Sequence, residues 1–161
     1  MIIKRKSLPF LIILAMLAPL LYLFKKNYAV GFSITPSLPY YVFFIDKTNT
    51  KVVKNDLVAF YYPGQNVYSF QTGEEFVKIA ICLPNEILTV NTNLEYFCNG
   101  KKISQAKKED SKGKKLTPFL FNGSIPKDKY FVIGTHPNSW DSKYWGFVSK
   151  DSIFAKAKGI F

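Results

Sequence analysis

Residues 7–24 are 18 consecutive positions without a charge, fenced by Lys4, Arg5 and Lys6 on one side and by Lys25 and Lys26 on the other. No other feature restricts the chain so much. A run of this length lies at the lower edge of the ~20 apolar residues that cross a hydrocarbon core as a helix. Pro9 stands where a helix starts well, and Pro19 marks a kink. The competing reading is a cleaved leader. Against it, the lysine pair directly behind the run is a poor approach to a cleavage site, and Asn27-Tyr28-Ala29 is the nearest thing to a small-x-small pair. The adopted reading is a retained transmembrane anchor over 7–24, with 1–6 in the cytoplasm by a slight excess of positive charge on that side. Residues 27–161 then form one extracytoplasmic domain.

Just behind the anchor comes Gly31-Phe32-Ser33-Ile34-Thr35-Pro36-Ser37-Leu38-Pro39. Its prolines hold φ near −65°, remove two backbone donors and push the residues before them out of the α region. The expectation is a stiff, extended platform that presents Ser37 close to the membrane exit. A Pro-rich linker with incidental hydroxyls is the bland alternative.

The remainder reads as strands. Tyr40–Ile45 and Leu57–Tyr62 are aromatic and β-branched runs, the second stopped by Pro63-Gly64. Glu74–Leu83 alternates, with Phe76, Lys78, Ala80 and Cys82 on one face and Val77, Ile79, Ile81 and Leu83 on the other. Ile87–Val90 and Leu94–Cys98 bracket Asn91-Thr92-Asn93 as a hairpin, closed by Asn99-Gly100. Lys101–Lys115 is charged and aperiodic and reads as a solvated loop without a function. Tyr130–Ile133 is a strand that runs into the turn cluster Gly134–Ser139. No helical period persists after residue 26, and aromatics make up 17% of the chain, so the expected class is all-β.

Lys78 is the sole charge between Glu75 and Glu86, in a strand apolar on both faces. A buried ammonium is unfavourable unless it is paired or releases its proton, so a depressed pKa is expected there. The alternative is an edge-strand lysine snorkelling to water. Elsewhere charge is diffuse: the net value is +11, but Arg5 is the only arginine among 22 basic residues. Nucleic-acid readers concentrate arginine forks on one face, so no nucleic-acid partner is expected. Anionic lipid headgroups account for the basic surface more simply. His136 is the only histidine, which leaves neither a His-based triad nor a His-rich metal site, and its role is turn structure. No cofactor is called for. Cys82 and Cys98 admit two readings, a disulfide across the hairpin in an oxidising compartment or simple apolar filling.

Three blocks, in this order, resemble the type I signal peptidase group of serine peptidases (family S26). Thr35-Pro36-Ser37-Leu38-Pro39 is similar to its nucleophile box. Lys78-Ile79-Ala80-Ile81-Cys82-Leu83-Pro84-Asn85-Glu86 is similar to its lysine box. The stretch from Gly134-Thr135-His136-Pro137-Asn138-Ser139 through Trp140-Asp141-Ser142-Lys143-Tyr144-Trp145-Gly146 is similar to its closing box. The short spacing, His136-Pro137 ahead of Ser139, and Leu38-Pro39 after Ser37 favour the conjugative-transfer (TraF-type) branch, whose members mature pilin precursors.

The resemblance implies a signal-peptidase-like antiparallel β catalytic domain with an inserted hairpin region, preceded by one N-terminal transmembrane helix. It implies Ser37 as nucleophile and Lys78 as general base, a Ser–Lys variant of triad logic. Thr35 and the Ser37 backbone N–H would form the oxyanion hole, Ser139 would orient the lysine amine, and Asp141 with Lys143 would be a structural pair. Substrate, a precursor polypeptide, would lie extended against edges near Gly31–Ile34 and Glu74–Phe76. Departures are Asn85-Glu86 for Gly-Asp, Lys143 for an arginine, Ile79 where many members carry an arginine, and Tyr41 for a common glycine. The expected protein is therefore a serine endopeptidase of the bacterial inner membrane, single-pass, with its catalytic domain on the periplasmic side. It would remove the leader of an exported precursor, a conjugative or type IV secretion pilin, in company with secretion machinery. A general signal peptidase is the nearest alternative, and a non-catalytic assembly factor of a secretion apparatus is the alternative from another class.

Overall fold

The computed structural model describes residues 8–65 and 70–161, with side chains from Ala15 onward. A helix, α1 (Leu8–Asn27), leads directly into the first strand, β1 (Tyr28–Phe32). Then follow β2 (Val42–Asp46), β3 (Leu57–Tyr61), β4 (Glu75–Cys82), β5 (Ile87–Val90), β6 (Glu95–Cys98), β7 (Lys101–Gln105), β8 (Gly123–Ser124) and β9 (Lys129–Ile133). A one-turn helix α2 (Ser142–Trp145), β10 (Val148–Ser149), a 3-10 turn (Lys150–Ser152) and β11 (Ile153–Gly159) complete the chain. Among the described residues no helix is long and apolar enough to cross a membrane. The anchor expected over 7–24 falls partly outside them, at Ser7 and at the side chains of 8–14.

Beyond Asn27 the chain is antiparallel β, as its alternating runs require. Seven strands form one sheet in the order β1-β2-β11-β3-β4-β9-β10, and four form a second in the order β7-β6-β5-β8. The face of β4 that carries Lys78, Ala80 and Cys82 is buried, and Cys82 joins Leu88, Tyr96, Cys98 and Phe131 in a core shared by the two sheets. Its other face, Val77 and Ile79, packs on Phe43, Ile45, Ala59 and Ala155. Cys82 and Cys98 are disulfide-bonded, which ties β4 to β6 and chooses between the two readings of those residues.

Two expectations are corrected. Lys101–Lys115 is not a loop throughout, because Lys101–Gln105 is a strand paired with β6, and Glu109 bridges to Lys115. Its cause was visible in Asn99-Gly100, both at positive φ, a two-residue turn that folds the chain straight back. Ile103 packs inward, while Lys101 and Lys102 face water on the outermost strand, where charge discourages edge pairing. The segment 31–39 is not extended throughout either. It leaves the sheet after Phe32 and turns at Pro36–Ser37, since a proline's φ suits the first inner position of a turn.

The departure at Asn85 leaves the turn after β4 intact. Asn85 adopts the left-handed conformation (φ 67°) that a glycine would supply, and the Glu86 carboxylate accepts the Leu83 N–H at 2.7 Å.

Candidate active site

Ser37 sits on the turn between β1 and β2 and is 9% exposed. Its carbonyl accepts N–H bonds from Thr135 (2.9 Å) and His136 (3.3 Å), so the loop after β9 clasps its backbone. Leu38 anchors the other flank in the core beside Phe43 and Ile45. The Ser37 hydroxyl lies 3.0 Å from the Thr35 hydroxyl.

Lys78 lies on β4 opposite Val58 of β3 and is 4% exposed. Its ammonium donates to Ser139 Oγ at 3.3 Å and stands 5.7 Å from the Phe76 ring centroid. Burial lowers its pKa to about 8. Asp141 opposes that shift, and the Lys143 charge adds to it. Among the described residues no direct hydrogen bond joins Ser37 Oγ to Lys78 Nζ. The two side chains instead face one cavity of about 460 Å³, which Thr35 and Ser139 also line.

The loop from Gly134 to Ser139 is braced from behind. Lys143 Nζ spans both Asp141 carboxylate oxygens at 2.6 and 2.8 Å, and both side chains are fully enclosed. The lysine thus reaches both oxygens, although it lacks an arginine's fork. Asp141 also accepts the N–H of Gly134 at 3.0 Å and that of Lys143 at 3.1 Å. Gly134 was not singled out in the sequence. A Cβ there would collide with Ser139 Oγ and with the Ser37 carbonyl, so only glycine lets the two segments meet. It stands at the head of the closing box, but the reason for it is spatial.

The cavity floor is apolar, made by Phe43, Ile45, Ala59 and Phe154. Its rims are Gly31–Ile34, which β1 leaves unpaired on its outer side, and Glu74–Lys78. β9 meets β4 only from Ile79 onward, so the first half of β4 keeps a free edge toward the cavity. Both rims therefore carry backbone groups not taken up by a neighbouring strand. The structure thus brings Thr35, Ser37, Lys78 and Ser139 to one groove and sets Asp141 and Lys143 behind it as the brace. Asn138 and Trp140 also line it and were not predicted.

One groove thus holds the Ser37 hydroxyl, a desolvated amine and a second hydroxyl together. The family described as "Signal peptidase, peptidase S26" matches residues 3–161, and the chain belongs to that family. Signal peptidase I of Bacillus amyloliquefaciens is 34% identical over 61% of this chain and 57% of its own length. That of Aquifex aeolicus is 26% identical over 85% and 55%. The chain therefore spans about half the length of these curated relatives. The conjugal transfer protein TraF of Agrobacterium fabrum is 22% identical over 80% of each chain. The solved signal peptidase I of Enterococcus faecalis V583 aligns with a TM-score of 0.42 and 27% identity, over 69% of this chain and 97% of the other.

Proposed function

We propose that this protein is a membrane-anchored serine endopeptidase acting on exported precursor polypeptides. One observation carries the reading: Lys78 is buried, with its ammonium on Ser139 and its pKa lowered to about 8, and it faces the same cavity as Ser37. A binding module has no use for an ammonium held at such a penalty. Neutral Lys78 Nζ takes the proton from Ser37 Oγ as the oxygen attacks the scissile carbonyl carbon. The Thr35 hydroxyl and the Ser37 N–H receive the developing oxyanion. The protonated lysine then returns the proton to the leaving amine, the C–N bond breaks, and an acyl-enzyme ester remains. Water then gives a proton to Lys78 as it attacks the ester carbonyl, the bond to Ser37 Oγ breaks, and the lysine passes that proton to Ser37.

The anchor is supported by the apolar side chains that α1 leaves uncovered, among them Met16, Leu20, Leu21 and Phe24. The Cys82–Cys98 bond supports an extracytoplasmic catalytic domain, since disulfides persist in oxidising compartments. The TraF relative, matched along most of both chains, favours a conjugative or type IV secretion pilin as substrate over general preproteins. The test is co-expression with a candidate pilin precursor and with a general preprotein, followed by mass spectrometry of the products. Leader removal should be lost equally in Ser37→Ala and Lys78→Arg, because an arginine cannot be deprotonated in a protein. Cleavage by the arginine variant would remove Lys78 from the chemistry.

A further inference from the structure

The turn His136-Pro137-Asn138-Ser139 touches both halves of the serine–lysine pair. The His136 N–H donates to the Ser37 carbonyl at 3.3 Å, and the His136 carbonyl accepts the Ser139 N–H at 2.9 Å. Ser139 Oγ in turn accepts from the Lys78 ammonium at 3.3 Å. A side chain closes the same turn a second time, because the Asn138 N–H donates to His136 Nδ1 at 3.1 Å. We propose that His136 is a positioning residue of the peptidase: its neutral imidazole holds the turn that seats Ser139 against Lys78, and protonation of the ring loosens it. The inference rests on the endopeptidase reading above.

The geometry is that of a turn whose first side chain accepts the N–H two residues on, a place that aspartate and asparagine oxygens commonly fill. Those oxygens accept in either charge state or have none to change. An imidazole accepts at Nδ1 only while it is neutral, with its one hydrogen on Nε2. A second proton makes Nδ1 a donor that faces a donor, and the bond is lost. Pro137 already fixes one dihedral of the turn, so the freedom that remains lies at Asn138, the residue whose N–H the ring holds. Among the described residues that N–H has no other acceptor, while the Asn138 side chain is taken separately, its Oδ1 accepting from Lys107 Nζ at 2.6 Å. His136 is half-buried on the wall of the cavity that Ser37, Lys78 and Ser139 share, so its ring can exchange a proton with solvent.

Charge by itself would act in the opposite sense. The charged groups around the loop are Lys78, Glu74 and Glu75 in the cavity, Lys107 on the Asn138 side chain, and Asp141 with Lys143 behind. A positive imidazole in the cavity of Lys78 favours the neutral amine and would raise activity on acidification. Loss of the turn lowers activity, so the sign of the effect separates the two.

The test uses the full chain in detergent and an internally quenched peptide with alanine at the cut. Wild type, His136→Asn and His136→Ala are compared from about pH 5 to about pH 8, the interval in which imidazoles change charge. Each kcat/KM is divided by that of the alanine variant at the same pH, which removes the Lys78 titration common to all three. At the upper end wild type and His136→Asn should both exceed His136→Ala by about threefold, a modest weight for one hydrogen bond because Asn138 is exposed. At the lower end the wild-type advantage should be gone and that of His136→Asn should remain, since an amide oxygen accepts at every pH. A ring that only fills space gives no such pH-dependent ratio. A wild-type ratio that stays constant or rises on acidification overturns the inference and leaves the peptidase reading standing. The same holds if His136→Ala equals wild type at the upper end, or if His136→Asn is no faster than His136→Ala there. If the wild type does not cut the peptide, the peptidase reading falls and the inference with it.

Discussion

Replacing Lys78 by methionine should make the protein more stable and catalytically dead at the same time. Methionine keeps the length and the apolar contacts of the lysine stem and removes the charge. Burial lowers the pKa of Lys78 from an ordinary 10.5 to about 8. A difference of that size corresponds to roughly 3 kcal/mol of penalty on the protonated form in the native state. The hydrogen bond to Ser139 is lost in the variant, a debit of about 1 kcal/mol. At pH 7 the net gain should therefore be about 2 kcal/mol. Its pH dependence follows from the sign of the shift. Between about pH 8 and 10.5 the unfolded lysine holds its proton and the native one does not, so wild-type stability rises with pH across that window. Below it, both states are protonated and the penalty is fully present. The advantage of Lys78→Met should thus be greatest at and below neutrality and should turn into a deficit of about 1 kcal/mol above about pH 10.5, where only the lost hydrogen bond remains. Urea unfolding of both full-length proteins in the same detergent, at several pH values, reads the difference directly, and titrating groups that do not interact with Lys78 cancel. A variant no more stable than wild type at pH 7, or a gap that stays constant to high pH, would refute the claim that Lys78 is held against its charge.

Wild-type kcat/KM should climb about tenfold per pH unit up to about pH 8 and then level off, as the neutral lysine accumulates; a flat profile across that range in stopped peptide assays contradicts it. Thr35→Val keeps shape but removes the hydroxyl beside Ser37 Oγ, so turnover should fall about a hundredfold with folding little changed, and Thr35→Ser should retain much of the activity. Gly134→Ala must push apart the Ser37 carbonyl and Ser139, which should lower unfolding stability by about 1–3 kcal/mol and kcat/KM by about a hundredfold. An alanine variant with unchanged kinetics would mean that the loop yields freely.

The strands were legible because alternation is local. Aromatic and β-branched runs placed β3 and β9, and period-two patterning placed β4, all within a residue or two of their observed bounds; the alternation also put Lys78, Ala80 and Cys82 together on one face of β4. The β7 hairpin was missed although Asn99-Gly100 announced it, because Lys101–Gln105 carries too few apolar residues to alternate visibly. Its pairing comes from the turn and from β6 rather than from its own pattern. The turn at Pro36–Ser37 was misread for a related reason. Proline sets one dihedral, and the direction taken afterwards is decided by a clasp from Thr135 and His136, far along the chain.

By itself the sequence determined the β architecture, the place of a lone lysine inside an apolar strand, and the three blocks that carry the family resemblance. Each of these is written in side-chain type and spacing over a few residues. Only the tertiary structure decided that Cys82 meets Cys98, that Gly134 has no room for a side chain, and that Lys78 is answered by a hydroxyl 61 positions away. It also decided the chemical state of that lysine. Desolvation and the opposing fields of Asp141 and Lys143 depend on what is packed around an ammonium in space, and a strand pattern holds no record of its neighbours across the fold.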